Sequence, residues 1–76
     1  MTYELWDSNT GNCIGAYSSE AAALKSVAKL AHRYGREARE VISLGLIVED
    51  DDTGNGRLVA QGVDLVHRAL GTAQPA

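Results

Sequence analysis

Thr-Gly-Asn occurs twice in the chain, at Thr10–Asn12 and Thr53–Asn55, and each copy stands between two short runs rich in branched and aromatic residues. Glycine and asparagine tolerate the backbone of tight turns, so each copy marks a hairpin. The first hairpin joins Thr2 to Trp6 with Asn12 to Tyr17, through the turn formers Asp7-Ser8-Asn9-Thr10-Gly11. The second joins a strand from Val41 to Glu49 with one from Arg57 to Gln61, through Asp50 to Gly56. In the longer strand Ile42, Leu44, Leu46 and Val48 alternate with Ser43, Gly45, Ile47 and Glu49, which gives one buried face.

Between the hairpins lies a long Ala-rich run. Ser18 and Ser19 supply an N-cap, and Glu20 sits in the first turn, where the helix dipole favours an anion. At helical spacing Ala23, Leu24, Val27, Ala28, Leu30, Ala31 and Tyr34 share one arc, while Lys25, Ser26, Lys29, His32 and Arg33 share the opposite one. Gly35 closes the helix, and Arg36 to Glu40 has the composition to add a further turn. After the second hairpin, Gly62 breaks the strand and Val63 to Leu70 reads as a short helix with Val63, Val66, Ala69 and Leu70 on one side. The order β-β-α-β-β-α implies an α+β fold, a four-stranded antiparallel sheet with the long helix packed on one face. Residues 1–70 form the single domain, and 71–76, with the only proline, read as a frayed tail. Ile14-Gly15-Ala16 can be set over Leu58-Val59-Ala60 after one insertion, so the order suggests one unit used twice. Turn chemistry alone also accounts for the likeness of the two Thr-Gly-Asn segments.

A chain of 76 residues buries only about 60 to 65% of the surface its unfolded form exposes, so its core is marginal. Cys13 is the only cysteine, which excludes an internal disulfide, and with His32 and His67 it falls short of a zinc site. Self-association is the remaining usual support. No run is apolar enough for a membrane span or a signal peptide, and the expected compartment is the cytoplasm. Ten acids against seven lysines and arginines argue mildly against a nucleic-acid partner.

Asp51, Thr53, Asn55 and Gly56 match the first half of a calcium-binding loop. The second half fails, because Gly62 stands where a bidentate carboxylate is required, and a solvated bend that discourages edge pairing is the better reading. Asp64 and His67 lie three apart on the second helix without a nucleophile to serve, and no glycine pattern fits a phosphate loop. The expectation is a protein without catalytic residues, metal or cofactor. Two surfaces remain. The stripe Lys25, Lys29 and Arg33 has the spacing to contact phosphates, and it also reads as a solubilising helix face. On the sheet, placing Leu5 in the core puts Glu4 and Trp6 on the far side with Ile47 and Val59. That half-apolar face is covered either by the second helix or by another chain.

The stretch "YELWDSNTGNCIGAYSSEAAAL" resembles a group of short, uncharacterised bacterial proteins with Tyr-x-Leu-Trp-Asp, a Gly-Asn turn, Gly-x-Tyr and a Glu-Ala-rich helix. The resemblance runs from Tyr3 to about Gly62 and implies no functional residue. The Ser-Ser-Glu-Ala-Ala-Ala-Leu helix start is also similar to that of HicB-like antitoxins, which place three strands before the helix where this chain has two. From its sequence the protein is expected to be a non-enzymatic interaction module, a homodimer that meets a protein partner through Trp6, Ile47 and Val59. The alternative is an antitoxin-like nucleic-acid regulator using Lys25, Lys29 and Arg33.

Overall fold

The computed structural model describes residues 1–73. Strands β1 (Thr2–Asp7), β2 (Asn12–Tyr17), β3 (Leu44–Glu49) and β4 (Gly56–Gln61) form one sheet in the order β2-β1-β3-β4, antiparallel throughout. Helices α1 (Glu20–Tyr34) and α3 (Gly62–Ala73) follow the two hairpins, and a short helix α2 (Arg39–Ile42) precedes β3. The class is α+β, as the hairpin and helix signals imply. No helix among the described residues is long and apolar enough to cross a membrane.

Local chemistry sets the ends of α1. The Ser19 hydroxyl accepts a hydrogen bond from the Ala22 N–H at 3.1 Å, which satisfies one of the first-turn donors. At the other end Gly35 takes φ 101° and donates its N–H to the Ala31 carbonyl at 2.9 Å. The strand expected from Val41 begins only at Leu44. Val41 and Ile42 belong to α2, whose backbone N–H groups donate to the Ala38 carbonyl at 2.9 and 3.0 Å. Val41 and Leu44 are both buried and lie three apart, a helical spacing, whereas Ile42 is 40% exposed. α3 also differs from the expected stripe. Its buried residues are Leu65, Val66, Ala69 and Leu70, while Val63 is 57% exposed in the first turn. The helix continues through Ala73, past the expected end at Leu70, and residues 74–76 lie outside the described residues.

One cluster forms the core. Leu5, Leu44 and Leu46 of the sheet join Ala23, Leu24, Val27, Ala28 and Ala31 of α1, Val41 of α2, and Leu65, Val66, Ala69 and Leu70 of α3. Leu5 and Leu46 face each other across β1 and β3, so every helix contributes to the side of the sheet on which they lie. The alternate positions Glu4, Trp6, Gly45 and Ile47 point to the other side, and none belongs to the cluster. The shape agrees: principal extents of 36 × 31 × 16 Å leave room for two layers, since a third would add about 10 Å.

The two hairpin turns are built alike. Asp7 accepts from the Asn9 N–H at 2.9 Å through its carboxylate and from the Gly11 N–H at 2.8 Å through its carbonyl. Asp50 does the same with Asp52 at 2.9 Å and Gly54 at 2.7 Å. Gly11 and Gly54 have φ values of 72° and 74°, which side chains disfavour. The offset that takes Thr10 to Thr53 takes Glu4 to Ile47, and those two residues pair directly across β1 and β3. Tyr3 pairs with Val48 and Leu5 with Leu46, which that offset interchanges. A local two-fold axis therefore passes through the Glu4–Ile47 pair and relates one ββα unit to the other.

Replacing Leu65 by Ala removes a fully buried side chain and is expected to cost about 2–5 kcal/mol. Val63→Ala, on the exposed side of the same helix, should stay within about 0.5 kcal/mol. Denaturant titration of both variants checks the helix orientation, and equal losses would contradict it.

Candidate functional site

The open face of the sheet is assembled by register. Thr2, Glu4 and Trp6 of β1 lie opposite Glu49, Ile47 and Gly45 of β3. Ala16 and Cys13 of β2 pair with Glu4 and Trp6, and Leu58 and Gln61 of β4 pair with Ile47 and Gly45. Gly45 leaves a gap beside Trp6, and Leu58 Cδ1 comes within 4.0 Å of the place a Cβ would occupy there. Trp6 Nε1 donates to Glu4 Oε1 at 3.4 Å, a long bond that ties the indole to the only carboxylate at the centre of the face. Trp6 and Ile47 are thus brought together. Val59 is not, because the register shift between Leu46 and Ile47 leaves it without a partner and it packs against the core. Leu58, 50% exposed, takes the place expected of Val59. Simple alternation from Leu46 cannot find it, since the bulge reverses the faces of β4.

On α1, Lys25, Lys29 and Arg33 are all exposed. Lys29 and Arg33 flank a groove against the edge strand β2, whose other linings are Ile14, Tyr17, Ser26 and Leu30. Lys25 stands outside it. Arg33 also lies over the Tyr34 ring, 5.5 Å from its centroid. The sequence stripe is therefore split, with two of its cations beside apolar side chains.

The carboxylates of the turns are engaged locally. Asp51 accepts from Thr2 Oγ1 at 3.0 Å and from the Met1 amino group at 2.8 Å, and Asp50 is committed to its own turn. Among the described residues no group of three or more His, Cys, Asp or Glu side chains is placed to hold a metal ion. Cys13 is exposed, with its thiol 3.6 Å from the Gly15 carbonyl oxygen. Asp64 and His67 are both exposed on α3, and His67 borders a shallow depression with Arg36, Glu37, Val63 and Val66.

No family model, curated protein or solved structure matches the chain.

Asp7 is held below the ordinary carboxylate pKa, first by the Asn9 backbone N–H and then by the Ser43 and Thr10 hydroxyls. The Ser43 hydroxyl acts by proximity, since it is buried without a hydrogen-bond partner of good geometry. A carboxylate with a depressed folded pKa stabilises the fold at pH values above its unfolded pKa, and that contribution is lost as pH falls through the folded value. Asp7→Asn should therefore lower stability at neutral pH, flatten the acid limb of the stability profile, and change little below the folded pKa of Asp7. Carboxyl-detected NMR should show Asp7 titrating below an unfolded-peptide aspartate. A midpoint at the unfolded value would contradict the turn geometry.

Proposed function

We propose that the protein is a non-enzymatic interaction module that forms a homodimer through the open face of its sheet. The observation behind this reading is that all three helices share one core with Leu5 and Leu46, so no helix among the described residues covers Trp6, Ile47 and Leu58. The competing arrangement, in which Val63, Val66 and Leu70 cap the face within one chain, is disfavoured because Val66 and Leu70 belong to that same core and Val63 is exposed. A second copy suits the face for two reasons. A small one-sided core gains from added apolar burial at roughly 25 cal/mol per Å². The face also has the size of a weak isologous contact: four strands about 4.8 Å apart and six residues of about 3.3 Å give roughly 20 × 20 Å, at the small end for specific interfaces. The unpaired Cys13 suits a reducing compartment such as the cytoplasm.

A second reading, a nucleic-acid-associated regulator of the antitoxin kind, draws on the exposed cations Lys25, Lys29 and Arg33. Phosphate binding would weaken steeply with salt in a gel-shift titration, and absence of any shift at low salt would remove this reading.

Sedimentation at micromolar concentrations is expected to show reversible dimerisation, with apparent stability rising with concentration. Trp6→Ser should weaken the dimer. Glu4→Gln should tighten it, because face-to-face pairing desolvates a charge at the centre of the contact while the amide oxygen can still accept from Trp6. A wild type that stays monomeric, with a melting temperature insensitive to dilution, would refute the dimer.

A further inference from the structure

We propose that the groove between β2 and α1 binds an extended acidic peptide, laid along the free edge of β2. This site lies on the helix side of the sheet and is independent of the proposed dimer face. β2 ends the sheet, so one row of its backbone donors and acceptors lacks a partner strand. Such an edge accepts an added strand, with specificity supplied by pockets for alternate side chains.

The groove supplies those pockets. Ile14, Tyr17 and Leu30 provide apolar contact, and Ile14 is 50% exposed. Gly15 makes room for this arrangement, because a Cβ there would lie 2.7 Å from the Tyr17 hydroxyl. The ring therefore lies across the strand backbone. Along the helix, Lys29 and Arg33 are one turn apart, about 6 Å at 1.5 Å per residue. Alternate residues of a strand are spaced about 6.6 Å apart on one face, so two acids at alternate positions can each meet a cation. No acid lines the groove, although the chain as a whole carries a net charge of −3. An apolar residue at the next alternate position would rest against Ile14 and Leu30.

A second bulge, in β2 at the register shift between Leu5 and Trp6, adds selectivity. Ile14 has no partner in β1, which disrupts the edge and disfavours pairing with an arbitrary strand. Side-chain contacts in the groove are then needed to hold a ligand to Gly15–Tyr17. The second ββα unit does not repeat the site. Its buried residues Leu65, Val66, Ala69 and Leu70 follow the spacing of Ala23, Leu24, Val27 and Ala28, and that alignment places Gly71 where α1 has Lys29.

The test selects random twelve-residue peptides displayed on phage against the full chain, then titrates the enriched peptide in solution. The expected consensus has acids at alternate positions beside an apolar residue. Binding should fall at least about tenfold in Lys29→Glu/Arg33→Glu and remain unchanged in Val63→Ala, on the exposed side of α3. NMR amide shifts should centre on Gly15 to Tyr17. Failure to enrich any peptide, a consensus without acids, undiminished binding by the charge-reversed variant, or shifts centred on Trp6 and Ile47 would each overturn the proposal. Displacement of the peptide by a single-stranded homopolymer of deoxythymidine at lower concentration would also overturn it, assigning the cations to phosphate. Sedimentation tests the dimer separately, so either idea can fail alone.

Discussion

The Leu5–Leu46 pair across the two central strands is the contact on which the rest of the molecule depends. Both side chains are fully buried, and both lie on the side to which all three helices contribute. Side chains alternate across a strand, so fixing these two also fixes where Glu4, Trp6, Gly45 and Ile47 must point. The chain is short, and its two main helices are both spent on one face. Ala23, Ala28, Ala31 and Ala69 keep that layer thin, since small residues let helices approach each other and the sheet. The open face is thus a direct consequence of where the limited apolar side chains are used.

Relating the two ββα units by a local two-fold axis explains why the core is economical. Each hairpin contributes a central and an edge strand, and each helix returns over the same side. The symmetry is kept where the backbone requires it, at the Asp-led turns and the buried helix positions. It is lost at the two bulges, which fall at non-equivalent places in the two hairpins, and where side chains meet solvent. Tyr17, Lys29 and Arg33 border the groove beside β2, whereas α3 carries Gly71 at the position where α1 has Lys29. A repeated scaffold therefore presents two chemically different edges.

Much of this was legible in the sequence because the signals were local. Thr-Gly-Asn in both turns, the Ser19 cap, Gly35 and the α1 stripe each act within a few residues, so composition and spacing reveal them. The remainder depended on tertiary contacts. Val41 and Ile42 continue an alternating pattern in sequence, yet Val41 reaches the core by helical spacing from Leu44. The unpaired Val59 reverses the faces of β4, a choice made by strand pairing, so Leu58 instead of Val59 joins Ile47. In α3 the expected stripe includes Val63, whereas the buried arc includes Leu65. The sequence alone does not decide between them, because the choice follows from how α3 meets α1 and the sheet. The cationic stripe was visible, but its division by Ile14 and Tyr17 needed the neighbouring strand.

The two proposed surfaces lie on opposite sides of the sheet, and this affects how they would work together. Pairing through Trp6, Ile47 and Leu58 leaves the helix layers of both copies outermost, with a β2–α1 groove on each. A weak dimer would then display two acidic-peptide sites in a fixed relation. A partner carrying two such segments could engage both, and the second contact would form at an effective concentration set by its linker instead of its bulk concentration. Modest affinity at each groove and at the dimer face would then be compatible with tight binding of a bivalent partner. The same partner would favour the dimer, because it binds two copies together better than it binds either one.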